Sequence, residues 1–437
     1  MKRWWAHAAY SALVTLLAPF LVLRLWRRAR AEPLYGTHLG ERYGLYGGRE
    51  APFDVWLHAV SLGETRAAEP LLQALRERQP GLRLLLTHST ATGRAAGAPL
   101  LRPGDRQAWL PFDTPGAVRR FLRHFRPRVG VLMETEVWPN LVAGCRQAGV
   151  PLLVANARLS PKSLRQSLRF DALLRPAAAG LTDVLAQTEA DAQRMREAGA
   201  GHVQVMGNLK FDLALDPAAL ALGQRWREAS PRPVVMAAVW REGEDGPLLR
   251  AWTALAPAGR PRLLLVPRHP QRFDEVAALV VQAGLSLSRR SAWAGGVPDA
   301  AALDADVWLG DSMREMAAYY TLADIALLGG SFAPLGGQNL IEAAACGRCV
   351  VMGPHTFNFA DAAERAEEAG AALRVADLAA AVPAALTVLA DAAERTRREQ
   401  AALAFAAAHR GAAARMADAV LQRLSVGAAS AAIRGRQ

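Results

Sequence analysis

A carboxylate at the start of a helix is the first group in the chain fit to act as a base. The run His58-Ala59-Val60-Ser61-Leu62-Gly63-Glu64-Thr65 follows an apolar stretch of strand length, and Ser61 and Gly63 permit a tight strand-to-helix turn. Glu64 then sits where the helix dipole favours its anionic form. That suits a base which must stay ionised until it takes a proton. The plain alternative is a capping role and nothing more. A second run, Met133-Glu134-Thr135-Glu136-Val137-Trp138-Pro139-Asn140, ends another strand. Glu134 and Glu136 are two apart, so they share one face of an extended segment. Like charges placed this way are costly unless function or a basic partner holds them; solvated loop acids are the alternative. Lys210, in Gly207-Asn208-Leu209-Lys210-Phe211-Asp212, is the only Lys after Lys162 in a chain that otherwise uses Arg. Arg offers a fork and Lys a compact point charge, so a retained Lys marks a place where a tight fit matters, chance being the alternative.

Three later segments suit an anion. Pro267-Arg268-His269-Pro270 ends a strand, and Gly310-Asp311-Ser312-Met313-Arg314-Glu315 reads as the opening of a helix after Val307–Leu309. A helix start offers free N–H groups to a phosphate, and Arg268 could clamp it. Gly329-Gly330-Ser331-Phe332-Ala333-Pro334-Leu335-Gly336-Gly337-Gln338-Asn339 is a Gly-rich loop leading into a helix that carries Glu342. Such a loop lets backbone approach a phosphate, and an acid one turn into the helix can take ribose hydroxyls. It is neither a Walker A nor a G-x-G-x-x-G sequence, so a plain turn is the alternative. Cys346-Gly347-Arg348-Cys349 matches C-x-x-C but ends a helix and has no second ligand pair, which favours a structural reading. His58, His88, His124, His269 and His355 show no metal-ligand spacing, and no H-E-x-x-H, P-loop or G-x-S-x-G is present.

These segments need a scaffold, and apolar runs supply it. Runs of strand length at Asp54–Val60, Leu82–Thr87, Val129–Met133, Pro151–Val154 and Val184–Gln187 alternate with helical patterns such as Glu64–Arg78 and Gly116–Phe125. The pattern loosens around Leu213–Pro231 and restarts with Val234–Ala238, Arg262–Val266, Ile325–Leu328 and Cys349–Met352, with Gln338–Ala345 and Ala360–Ala369 helical. Alternation of this kind predicts βαβ units and parallel sheets. The expected organisation is a first domain over 31–215 and a second over 216–426, two doubly wound domains facing each other across a cleft, with ligands at the carboxyl ends of the strands. Residues 427–437 read as a frayed tail.

At 437 residues the chain is long enough for two or three domains. Its three Cys are too few for a disulfide framework, so a reducing compartment is the default. Lys+Arg 52 against Asp+Glu 40 gives +12, which calls for an anionic partner without choosing among nucleic acid, anionic lipid and a phosphorylated substrate. Residues 1–30 read as an anchor. Trp4–Leu23 is uncharged for twenty residues, about 30 Å of helix and the thickness of a bilayer core. Arg24, Arg27, Arg28 and Arg30 follow it, which keeps the remainder in the cytoplasm. A cleaved signal peptide, with Ala29-Arg30-Ala31 as its site, is one alternative, and arginines directly after the apolar core argue against it; a helix lying in the membrane interface is the other.

Taken together, the chain resembles the bacterial 3-deoxy-D-manno-octulosonic acid (Kdo) transferases of lipopolysaccharide assembly. The resemblance runs from the N-terminal anchor and Gly40-Glu41-Arg42-Tyr43-Gly44 through the three acid and lysine segments, Asn156-Ala157-Arg158-Leu159-Ser160 and the three anion segments to Met352-Gly353-Pro354-His355-Thr356-Phe357-Asn358-Phe359. Each motif is modest, and their order and spacing together are specific. The resemblance implies a GT-B glycosyltransferase, with two Rossmann-like domains and an N-terminal membrane helix. The first domain would bind an acylated, phosphorylated glucosamine disaccharide (a lipid A precursor), the second CMP-Kdo. It implies inverting transfer with no metal or other cofactor. It makes Glu64 the base, Glu134 and Lys210 stabilisers of the transition state, and Arg268, His269, Met313, Arg314, Glu315, Asn339, Leu340, Ile341 and Glu342 the CMP-binding residues. The place would be the cytoplasmic face of the inner membrane, against anionic lipid.

The chain departs from the family pattern twice: Gln338 stands where the family often has His, and Val239-Trp240-Arg241 stands where it usually has Ser/Thr-His before Glu-Gly-Glu. Two other functions fit parts of the pattern. Another membrane-associated GT-B nucleotide-sugar transferase would lack the paired segments around Glu64 and Glu134. An anchored scaffold binding anionic lipid or nucleic acid would need clustered basic and aromatic stripes. Beyond the arginines after the anchor, the basic residues are scattered, which disfavours it and gives no sign of nucleic acid.

Overall fold

The computed structural model describes residues 2–48, 50–212 and 215–434. Runs of three to seven residues, mostly apolar, form two parallel sheets, each of seven strands. The first holds β1 (Val55–His58), β2 (Leu84–His88), β3 (Arg106–Trp109), β4 (Val129–Met133), β5 (Leu152–Ala157), β6 (Asp183–Ala186) and β7 (Val203–Val205), in the order β3-β2-β1-β4-β5-β6-β7. The second holds β8 (Val234–Trp240), β9 (Arg262–Pro267), β10 (Leu287–Arg289), β11 (Val307–Leu309), β12 (Ile325–Leu328), β13 (Val350–Met352) and β14 (Ala372–Arg374), in the order β10-β11-β9-β8-β12-β13-β14. β1, β2, β4, β5, β9 and β12 are buried at every position, as expected of strands covered by helices on both faces. β3, β7, β10 and β14 lie at or beside sheet edges, are three or four residues long and are part exposed. Their apolar signal is correspondingly weak.

Chain order reverses between β1 and β4 in the first sheet, and between β8 and β12 in the second. β1 and β4 are neighbours in register, Val55 opposite Val129 and His58 opposite Leu132. At such a switch point the two following loops diverge to opposite faces and leave a crevice at the carboxyl edge. Glu64 follows β1 and Glu134 follows β4, so both segments singled out from the sequence flank the same crevice. In the second sheet the corresponding loops are 241–244 after β8 and the Gly-rich loop after β12.

The chain divides into one unit of 1–212 with 410–437, and a second of 213–409. The sequence reading kept 410–426 with the second domain; the structure returns this segment to the first. The helix Ala412–Arg434 lays Met416, Ala417, Val420 and Leu424 on the core that includes Val129, Val131, Leu71 and Leu75. Asp212 fixes its start by accepting the N–H groups of Gly411 and Ala413, both at 2.5 Å, and Arg423 pairs with Asp183 at 2.6 Å. The expected tail from Gly427 is helical to Arg434, and 435–437 lie outside the described residues.

The N-terminal helix Lys2–Arg28 is long and apolar enough to cross a membrane. It does not project from the first unit. Tyr10 donates to Asp113 at 2.9 Å, Ser11 donates to Asn140 at 2.8 Å, and Ala18 is buried. Arg28 stacks on Tyr35, 4.4 Å from the ring centroid. The opposite side bares Trp4, Trp5, Leu13, Leu16, Phe20 and Trp26, with Leu16 72% exposed.

Candidate functional site

Ser61 ends the turn after β1 in an extended conformation and caps the helix Leu62–Arg78, accepting the Glu64 N–H at 3.4 Å. The Glu64 carboxylate reaches back. One oxygen accepts the Val60 N–H at 2.7 Å and the other the Ser61 hydroxyl at 3.1 Å. This reciprocal cap is the structural role set against catalysis in the sequence, and the structure contains it. It does not exhaust the group, because a carboxylate has about four lone-pair sites and two are used. The cap fixes the rotamer and leaves the remaining sites open. The helix start was expected to hold Glu64 firmly anionic. Instead, burial and the negative charges of Glu134 and Glu136 outweigh the two hydrogen bonds and push its pKa up to about 7. Gly63 is not forced by crowding: a Cβ there would meet nothing nearer than Ser61 Oγ at 3.9 Å.

Glu134 leaves β4 with φ 60°, a left-handed conformation unusual for a side chain of this size. Its N–H donates to Ala155 O at 2.9 Å, and its buried carboxylate accepts from Arg158 Nε at 2.8 Å. Arg158, after β5, is thus the basic partner that the paired acids require. Glu136 accepts from Trp138 Nε1 at 2.6 Å, and burial pushes its carboxyl up. Asn156, also left-handed at φ 54°, carries a relay. Its Oδ1 accepts the Leu209 N–H and its carbonyl accepts from Gln187, whose Oε1 accepts from Asn208; Asn208 in turn accepts the Lys210 N–H, each at 2.9–3.0 Å. The ends of β5 and β6 therefore set the backbone at Lys210. Burial and the Arg158 charge lower the Lys210 ammonium against the pull of Glu134. The first unit gathers Glu64, Glu134, Glu136, Arg158 and Lys210 at one sheet edge. Sequence reasoning missed the supporting roles of Asn156, Arg158, Gln187 and Asn208, although two of the motifs quoted for the family contain three of them.

In the second unit the largest surprise is Glu244. It is buried, and its carboxylate accepts N–H groups from Gly330 at 2.8 Å, Phe332 at 3.2 Å, Ala333 at 3.3 Å and Arg241 at 3.2 Å. The Gly-rich loop was expected to offer these amides to a phosphate. At Gly330, Phe332 and Ala333 they are already filled, so this stretch is a scaffold locked by an internal anion. Gly329 lets the loop close: a Cβ there would meet Val239 O at 2.4 Å.

Arg268 is exposed at the end of β9, and its guanidinium donates to Gln338 Oε1. Gln338, the first departure from the family pattern, therefore holds the Arg268 clamp. Trp240, in the second, is core: it is buried and its ring lies 5.9 Å from Phe332. His269 is half-buried at the start of a short 3-10 turn. The helix expected to open at Asp311 begins at Met316. Asp311 is held by Ser291, through N at 2.8 Å and Oγ at 2.6 Å, and Glu315 pairs with Arg290 at 2.8 Å. Arg314 is left-handed at φ 67°, which turns the chain so that Met313 is 62% exposed. The helix expected over Gln338–Ala345 spans Ile341–Ala345. Asn339 Oδ1 accepts the Ile341 N–H at 3.1 Å. Leu340 and Ile341 bury their side chains, so only their backbone can meet a ligand. Burial raises the Glu342 carboxyl. Burial also pushes the Cys346 and Cys349 thiols up to about 11, in keeping with a structural C-x-x-C. Among the described residues no group of three or more His, Cys, Asp or Glu is placed to hold a metal ion.

Residues 37–213 match the family model described as 3-deoxy-D-manno-octulosonic-acid transferase (kdotransferase). The chain is 52% identical to the 3-deoxy-D-manno-octulosonic acid transferase of Bordetella pertussis, over 95% of this chain and 98% of that one. It is 33% identical to the enzyme of the same name from Haemophilus influenzae, over 94% and 96%. Among solved structures it is similar to a glycosyltransferase from Rickettsia africae (TM-score 0.56, 13% identity, 86% of this chain and 98% of that one). It is also similar to Anabaena Alr3699/HepE in complex with UDP (TM-score 0.55, 15% identity, 86% and 100%). At these identities the two structures speak to the fold alone, which is GT-B.

Proposed function

The chain belongs to the 3-deoxy-D-manno-octulosonic acid transferase family and is a glycosyltransferase of lipopolysaccharide synthesis; from this premise we propose that it moves Kdo from CMP-Kdo to an acylated, phosphorylated glucosamine disaccharide, with inversion. The observation that carries the assignment of roles is the Glu64 carboxylate, fixed by its cap at the switch-point crevice and poised at about 7. A base is most useful with a pKa near the working pH. Glu64 takes the proton of the acceptor hydroxyl as its oxygen attacks the anomeric carbon of Kdo. The bond from that carbon to the phosphate oxygen breaks, and CMP leaves with the electron pair. Positive charge develops on the sugar, as in other glycosyl chemistry. The buried Glu134 carboxylate, steadied by Arg158, and the Lys210 ammonium supply fixed charges for that moment. In the second unit Arg268, His269, Met313–Glu315 and Asn339–Glu342 are the candidate contacts for CMP. The proposed transfer uses no metal: a chelator leaves the rate unchanged, and a rate abolished by chelator and restored by a divalent cation would refute this part.

The N-terminal helix has one side fastened to the first unit and an apolar side free, with arginines at its end. That pattern supports a helix lying in the membrane interface on the cytoplasmic face of the inner membrane. Mass spectrometry tests the function as a whole. Purified protein with CMP-Kdo and a tetra-acylated precursor should add the mass of Kdo to the acceptor. No gain, where a reference transferase works, sinks the reading.

A further inference from the structure

Between the N-terminal helix and the body of the first unit runs a groove of about 560 Å³, within the about 300–1,000 Å³ usual for small-ligand sites. Val14, Leu21 and Leu25 form its helix wall, and Leu110, Phe112 and Leu141 the facing one. Three features distinguish it from an accidental crevice. First, its far wall follows β3 and β4, the edge at which Glu64 and Glu134 lie. Trp138, on that wall, donates to Glu136. Second, it holds three arginines, Arg24, Arg28 and Arg42, beside one acid, Asp113, whose carboxylate is already taken up by the Tyr10 hydroxyl and the N–H groups of Asn140 and Leu141. Arg42 is buried, donates to Ser89 O at 3.0 Å and Leu110 O at 3.3 Å and lies over the Trp109 ring, and among the described residues neither it nor Arg24 makes an ion pair. Third, the helix that walls it bares its apolar side to the surroundings, which sets the groove at the level of a lipid surface.

We infer that this groove holds one acyl chain of the acceptor, with an acceptor phosphate against Arg24 and Arg42 and the sugar toward Glu64. The inference rests on the acceptor being a phosphorylated, acylated glycolipid. Burial of methylenes beside the reacting centre orients a long substrate, and binding energy far from the reacting atoms is available to the chemical step. A bulk phospholipid chain would explain the apolar walls, but not why the groove shares Trp138 with the catalytic loop.

The test compares a tetra-acylated acceptor with the same phosphorylated disaccharide stripped of its acyl chains, using the full-length protein. Val14→Trp and Leu21→Trp fill the groove from the helix side. Displacing about two methylenes should lower the ratio of kcat/KM, acylated over deacylated, by about tenfold. Vesicle sedimentation should stay at the wild-type level. Residual turnover of the deacylated acceptor reports that each variant is folded. An unchanged ratio in both variants overturns the proposal. So does a ratio that falls only in step with vesicle binding, since that marks the groove as part of the anchor. A tetra-acylated acceptor carrying a diazirine at a chain end provides a measurement free of variants: crosslinks should fall on the Leu21 and Leu110 peptides, and crosslinks confined elsewhere overturn it. If the wild type turns over neither acceptor, the proposed function fails first and the groove assignment with it.

Discussion

Glu64 shares its proton balance with two neighbouring carboxylates, and this can be measured. Its pKa is raised, so the base is protonated at low pH, and the acidic limb of kcat/KM should fall near pH 7. Glu64→Gln should remove that limb and lower kcat/KM by about 10²–10⁴, the usual worth of general base catalysis, while leaving the fold intact. A folded variant with near-normal turnover would refute the assignment. Glu136→Gln removes one of the charges that raise Glu64, so the acidic limb should move to lower pH; a limb that stays put would mean that Glu136 is not felt at Glu64. Lys210→Ala should slow single-turnover transfer rather than unfold the protein, and an unchanged single-turnover rate would remove Lys210 from the mechanism. At this scale the acids and the lysine were legible because charges stand out in apolar surroundings. Their supports were not. Asn156, Gln187 and Asn208 work through left-handed backbone and side-chain relays, which no spacing rule announces.

Among the elements, the Gly-rich loop is shaped by a residue far from it in the chain. Glu244 fills the amides of Gly330, Phe332 and Ala333. Glu244→Ala leaves buried N–H groups unpaired, at about 1–3 kcal/mol each before water enters. Melting should shift downward, and KM for CMP-Kdo should rise more than kcat falls, as the loop loses its form. A variant with wild-type KM would show that the loop holds its shape without the carboxylate. In the sequence, Glu242 and Glu244 stand only as the Glu-Gly-Glu after Val239-Trp240-Arg241, and only the burial of Glu244 tells the two apart. The sheets themselves were readable because β1, β4, β9 and β12 are continuous apolar runs, whereas β7 and β10 are too short and exposed to stand out. Helix starts were misjudged where a loop looked helical: Asp311 is tied to Ser291, and left-handed Arg314 postpones the helix to Met316.

At the scale of the whole molecule, alternation along the chain was enough to foresee two doubly wound units but not where 410–434 belongs. An apolar stripe such as Met416, Val420 and Leu424 fits the open side of either sheet, and the capping Asp212 lies nearly two hundred residues away in the chain. A chain ending at His409 should therefore leave the first unit short of its covering helix. Proteolysis should cut within 31–212 while the 213–409 segment resists, and equal resistance of both would show the helix to be dispensable.

The return of that helix also bears on how the protein comes into being. The first unit is begun before the second and finished after it, so the second is, in effect, an insertion within the first. On the ribosome, the face of the first sheet that will receive Met416 and Val420 waits uncovered while 197 further residues, 213–409, are made. The nascent chain thus carries an unfinished apolar surface for much of its synthesis, at 5–20 residues per second roughly ten to forty seconds. A helix made after the second unit closes the core begun before it.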